Sequence, residues 1–176
     1  PDLPVDRRYE HAGLLAAIVS ACAAELDAKP SLAVDAWQIV IAKWSKEPLG
    51  RRLAGVHATT EIARLVDAHG RQIYAVHDAL AEQLFTSAQT SDTAERLQKV
   101  LDLYPNSART ADVYRKLAAA FADAGKHADV VRVLTDGMMR RHEDLAPDAC
   151  LLGDAFEQLG LATAARQAWR YALEIK

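Results

Sequence analysis

Apolar residues recur along this chain at three- and four-residue spacing almost from end to end, which is the period of a helix with one buried face. The pattern predicts a first helix over residues 6–28, stopped near Pro30, with Leu15, Ile18, Cys22 and Leu26 as its core-facing stripe. A second helix runs from an N-cap at Ser31 to Lys46 and turns Trp37, Val40, Ile41 and Trp44 inward. Pro48-Leu49-Gly50 breaks the period. A third helix covers 52–68 and ends at His69-Gly70 as a left-handed C-cap, and a fourth covers 72–87. The fifth starts after Ser91-Asp92, where Glu95 completes a capping box, and stops at Tyr104-Pro105. Four more follow at 110–124, 127–142, 147–159 and 162–175. No segment reads as a strand, so the expected fold class is all-α.

The last four of these helices repeat each other. Ala120-Phe121 followed by Gly125 recurs as Ala155-Phe156 followed by Gly160. At the same offset Leu117 maps onto Leu152, Val130 onto Ala165, Leu134 onto Trp169 and Gly137 onto Ala172. Self-similarity at a period of about 35 residues is the mark of stacked helical hairpins. Gly125 and Gly160 stand where one helix must stop and the next begin. Gly137, Ala165 and Ala172 are small where helices cross, and Phe121, Phe156 and Trp169 are expected to fill the space between hairpins.

These positions resemble the tetratricopeptide repeat pattern, which Leu152-Gly153, Phe156, Gly160, Ala165, Trp169 and Ala172 match closely. A weaker upstream copy is carried by Leu84, Leu97, Val100 and Pro105, with Ala88 where the inter-helix glycine is expected. The resemblance implies a right-handed α–α superhelix, a solenoid of about nine helices. Residues 71–176 would form three hairpins, and residues 1–70 degenerate repeats or a helical cap, in one continuous array. The segment Leu101 to Ser107, with Tyr104-Pro105-Asn106-Ser107, is similar to repeat proteins of the bacterial cell envelope. It implies an envelope or periplasmic setting over a cytoplasmic one.

Composition narrows the function classes. The chain has 176 residues, enough for a sizeable core, and alanine alone is about one residue in five. A net charge of −3 leaves no basic footprint for nucleic acid, and no apolar run reaches the length of a membrane span. Cys22 and Cys150 form no CxxC pair and no zinc spacing, and read as free or buried thiols. Val19-Ser20-Ala21-Cys22 resembles a lipoprotein signal, but the helical stripe through Cys22 is the stronger reading. The chain begins at Pro1 and ends inside a helix, as a piece cut from a longer polypeptide would.

Motifs for chemistry are lacking: there is no P-loop, GxGxxG, HExxH or GxSxG. No two histidines stand four apart on one helix, and His57 with Glu61 reads as an exposed helix pair. The cationic run Met138-Met139-Arg140-Arg141-His142 reads as a helix C-terminus opposing the macrodipole. Arg7-Arg8 and Arg51-Arg52 read as solvated helix-start residues. The expectation is a non-enzymatic module with no cofactor and no metal.

The resemblance places a concave groove on the first helix of each repeat. Its candidate lining is Asp78, Glu82 and Phe85, then Asp112, Arg115, Lys116 and Asp123, then Cys150, Asp154, Glu157 and Gln158. Carboxylates outnumber cations there. Arg115 fits one position of the carboxylate clamp found in some family members, but Ala119, Pro147 and Leu151 occupy the others. The expected function is therefore a protein- or peptide-binding adaptor whose net acidic groove holds a basic, apolar segment. The alternative is a structural or self-association arm within a larger protein.

Overall fold

Alanine and leucine on inward positions, with glutamate, arginine and lysine outside, lose little freedom in a helix, and helix is what the chain forms. The computed structural model describes residues 5–88, 93–140 and 144–175, with side chains from residue 11 onward. Among the described residues the helices are α1 Val5–Leu26, α2 Pro30–Trp44, α3 Ala54–His69, α4 Ala75–Ser87 and α5 Thr93–Leu103, then α6 Thr110–Asp123, α7 His127–Arg140, α8 Ala146–Gln158 and α9 Ala162–Glu174. The class is all-α. None of these helices is long and apolar enough to cross a membrane.

One small sheet departs from the expectation of no strands. β1 Pro48–Leu49 pairs antiparallel with β2 Arg52–Leu53 across Gly50, whose φ is +62°. Two-residue pairings carry no alternation that a sequence pattern can reveal, and the predicted helix start at 52 was the competing reading. Other corrections are local. Pro30 opens α2 at its first turn and does not close α1, because a helix start does not need the missing N–H. Lys29, not Ser31, is the N-cap. Gly70 has a positive φ of 84° but an extended ψ of 158°, outside the left-handed helical well. A 3-10 turn, Arg71–Tyr74, leads into α4. The proposed capping box at Ser91-Asp92 lies outside the described residues, as do the side chains of Arg7 and Arg8.

The chain divides into two compact units, Pro1–Leu80 with Asp102–Ser107, and Ala81–Leu101 with Ala108–Lys176. In the first, α2 packs between α1 and α3. Its core holds Leu14, Ala21, Trp37, Val40, Ile62, Leu65 and Tyr74. The α1 stripe is rotated from the expected one. Leu14 and Ala21 are buried and Ile18 half-buried, while Leu15, Cys22 and Leu26 are exposed. In the second unit α6 packs on α7, α7 on α8 and α8 on α9, around Val113, Leu117, Val133 and Leu134. Phe121, Phe156 and Trp169 are only half-buried, so the large residues expected between hairpins are not the centre of the core.

The hairpin turns repeat bond for bond. In α6–α7 the N–H of Gly125 donates to the carbonyl of Ala122 at 2.9 Å, and that of Lys126 to Phe121 at 2.9 Å. In α8–α9 Gly160 donates to Glu157 at 2.9 Å and Leu161 to Phe156 at 2.9 Å. This is the Schellman arrangement, with the glycines at φ +70° and +73°. The α1–α2 turn has the same bonds, Ala28 to Glu25 at 3.0 Å and Lys29 to Ala24 at 2.8 Å, but with Ala28 held at φ +56°. Aligned on this turn, Trp37 takes the place of Trp169, and Ala21 that of Gly153.

A left-handed alanine costs about 1–2 kcal/mol, and glycine gives back about 0.5–1 of that in unfolded-chain entropy. Ala28→Gly is therefore expected to stabilise the protein by about 0.5–1 kcal/mol. Gly125→Ala, with no atom within 4 Å of the added methyl, is expected to cost about 1 kcal/mol through φ alone. Urea unfolding of both variants measures the opposite signs.

Candidate functional site

The candidate groove residues fall into separate groups. Asp78 belongs to the first unit, where Arg71 grips it with two bonds, Nε to Oδ2 at 2.9 Å and Nη2 to Oδ1 at 2.7 Å. Arg71 also donates to the Asn106 carbonyl at 2.9 Å, so this pair fastens the Tyr104–Ser107 turn. All the other candidates lie in the second unit.

Glu82 and Phe85 on α4 and Asp112 and Lys116 on α6 form one cluster. Arg109, just before α6, donates to Glu82 and, at 3.1 Å, to Asp112. Those hydrogen bonds raise its pKa above the ordinary arginine value. The Phe85 ring lies beneath two cations, with Lys116 Nζ 4.7 Å and Arg109 Cζ 5.9 Å from its centre. Arg109 was not among the expected groove residues, yet it organises the cluster.

Arg115 is turned to structural work. Its Nε donates to Asp148 Oδ1 at 2.9 Å, and its Nη2 to the carbonyl and carboxylate of Asp144 at 2.8 and 2.6 Å. Burial opposes its charge, but the hydrogen bonds to Asp144 and Asp148 more than offset this and raise its pKa. Asp148, with no exposed surface, sits in the first turn of α8, where a helix N-terminus favours a carboxylate. The sequence pattern gave Arg115 to a ligand because it could not see these two partners.

Between α6 and α8 runs a shallow trough of about 190 Å³. Ala118, Ala119 and Ala122 line one side and Leu151 and Ala155 the other, with Asp154 and Gln158 along the rim and His127 from α7 at one end. Asp154 accepts a hydrogen bond from Trp169 Nε1 at 3.1 Å, which fixes its direction. Asp123, Cys150 and Glu157 are exposed on the same two helices. Ala119 and Leu151, at positions where the resemblance expected clamp residues, are apolar and both line the trough. With Glu82 and Asp112 tied to Arg109, and Asp148 to Arg115, the acidic character of this region rests on Asp123, Asp154 and Glu157.

The first unit holds a polar network that no motif announced. His77, 9 % exposed, is hydrogen-bonded through Nε2 to Asp35 Oδ1 at 2.8 Å. Its ring lies 5.1 Å from that of Tyr74, whose hydroxyl donates to Gln38 Oε1 at 2.9 Å. Gln38 in turn donates to the Leu103 carbonyl. Burial pushes the Tyr74 phenol well above its ordinary pKa, with Asp78 adding to the effect. Asn106 Nδ2 donates to the Thr59 carbonyl at 3.0 Å, so the Tyr-Pro-Asn-Ser turn is a fastener of this unit. Glu61 pairs with Arg64 at 2.8 Å, and His57 stands edge-on to Trp37 with ring centres 5.3 Å apart. Arg140 of the cationic run pairs with Asp136 at 2.9 Å, while residues 141–143 lie outside the described residues.

Among the described residues no three His, Cys, Asp or Glu side chains converge as metal ligands would. The chain matches no protein-family model and no curated protein.

Proposed function

We propose that the second unit is a protein-binding module, and that the α6–α8 trough takes an apolar side chain flanked by basic residues in a partner segment. The observation that carries this reading is the trough itself, an alanine and leucine floor with Asp154 on its rim and Glu157 and Asp123 exposed on the same helices. An apolar floor rewards burial of one side chain, and carboxylates on its rim and beside it choose the charge of its neighbours. The tetratricopeptide resemblance supports the reading, because that family binds peptides along the corresponding helices. On this reading the chain is an adaptor or scaffold module.

A positional-scanning peptide library tests it. Enrichment of Leu, Met or Phe next to Lys or Arg is expected. The selected peptide should bind the Asp154→Lys, Glu157→Lys variant about tenfold more weakly, with a shallower salt dependence. Random selection, or a selected peptide that binds wild type and variant alike, would sink the reading.

A further inference from the structure

The first unit carries a second surface of opposite polarity. α1 leaves a row of apolar side chains uncovered: Leu15 is 52 % exposed, Val19 65 % and Leu26 89 %, with the exposed Cys22 in line between Val19 and Leu26. Their spacing of four, three and four residues is the spacing of a coiled-coil seam, which a second helix covers with its own a and d residues. From Leu15 to Leu26 the row climbs eleven residue steps of helix, or roughly 16 Å at 1.5 Å per residue.

At its Leu15 end the row runs into an open pocket of about 560 Å³. Leu15, Ile18 and Leu49 line it with apolar surface, and Arg51, Arg52 and His57 with basic side chains. Arg51 lies in the β1–β2 turn and Arg52 opens β2, both are exposed, and neither has a carboxylate partner among the described residues. Most other described arginines are paired: Arg64, Arg71, Arg109, Arg115, Arg132 and Arg140 each bind a carboxylate. The acids at the far end of α1 are occupied, Glu25 by Arg64 and Asp27 by Lys29. Among the described residues, the charge-bearing side chains that line the pocket beside the apolar row are basic ones.

We infer that this surface docks an amphipathic, acidic α-helix of a partner protein, its apolar seam on Leu15, Val19, Cys22 and Leu26 and its carboxylates on Arg51 and Arg52. The seam spacing selects a helix, and the charge selects acidic flanks. A small molecule is a poorer fit, because the pocket is open and the apolar row continues well beyond it. Arg51 and Arg52 are then not merely solvated helix-start residues, as their sequence context suggested, but a charged clamp on a turn. The inference is independent of the trough in the second unit, which prefers the opposite charge.

The probe is a fluorescein-labelled three-heptad peptide with Leu at a and d and Glu at the flanking positions, compared with the same peptide carrying Lys in place of Glu. Anisotropy is expected to show binding of the acidic peptide alone, weakened about tenfold in Arg51→Glu, Arg52→Glu and strengthened at low salt. Asp154→Lys, Glu157→Lys should leave this binding unchanged, which separates it from the trough. The bound helix should also slow modification of Cys22 by a thiol reagent about tenfold, with Cys150, exposed on α8, as the internal reference. Absence of binding up to about 1 mM peptide overturns the inference. Equal binding of both peptides, insensitivity to the arginine reversal, or an unchanged Cys22 rate does so as well.

Discussion

Gly153→Leu is expected to cost the second unit about 3 kcal/mol, the upper part of the range for overpacking a filled site. Gly153 is buried on α8 directly under the Trp169 indole of α9. A Cβ built there would fall inside the ring's contact distance, with Cε2 at 2.8 Å and two other ring atoms nearer. The ring is not free to swing away, because its Nε1 is tied to Asp154. Glycine in mid-helix costs about 1 kcal/mol relative to alanine, so its presence shows that the close approach outweighs propensity. Urea unfolding of Gly153→Leu, Trp169→Ala and the double variant checks the claim. The double variant should be more stable than the sum of the singles by about 2 kcal/mol. An additive pair would mean that ring and glycine do not constrain each other.

The other hairpin solves the same packing problem with the sizes exchanged. In α6–α7 the aromatic ring is Tyr114 on the first helix and the glycine is Gly137 on the second, where an added Cβ would meet Tyr114 Cγ at 2.7 Å. At the offset of 35, Tyr114 and Gly137 become Ala149 and Ala172, while Ala118 and Leu134 become Gly153 and Trp169. Each hairpin therefore has one large residue against one glycine, but at different positions. A repeat pattern read position by position marks Phe121, Phe156 and Trp169 as the fillers, and misses that Tyr114 is buried while both phenylalanines are half-exposed.

The helices and the two glycine turns were legible because periodicity and φ demands are local. The N-terminal hairpin was harder to read. Its turn has the same hydrogen bonds, but Ala28 hides the signal that glycine gives at 125 and 160. The rotation of the α1 stripe was also hidden. Leu14, Leu15, Ile18 and Val19 supply apolar residues on two adjoining faces, and only packing decides which is covered. For the candidate groove, residue type placed carboxylates on α4, α6 and α8. It could not tell which were already held by Arg109 or Arg115, since those partners come from other turns of the chain.

Arg115 is where that difference has the largest consequence. A charge-reversal at this residue looks like a groove variant from the sequence, yet Arg115→Met is expected to destabilise the second unit by about 3 kcal/mol. Removing the guanidinium takes two hydrogen bonds from the turn at Asp144 and strips the fully buried Asp148 of its ion pair. Breaking a buried pair from one side costs about 3–5 kcal/mol, and the low end applies because Arg115 keeps about a quarter of its side-chain surface in water. Arg115→Lys should fall between wild type and Arg115→Met, because one ammonium cannot serve Asp144 and Asp148 together in the fork geometry. Adding Asp148→Asn to Arg115→Met removes the buried negative charge that has lost its guanidinium and should recover about 1 kcal/mol or more. Denaturant unfolding of the three variants at neutral pH gives these differences. If Arg115→Met keeps wild-type stability while lowering peptide affinity, Arg115 acts on a ligand and not on the fold. If it destabilises the unit as expected, loss of binding by any Arg115 variant reports the scaffold, and the proposed trough has to be probed with Leu151, Asp154 and Glu157.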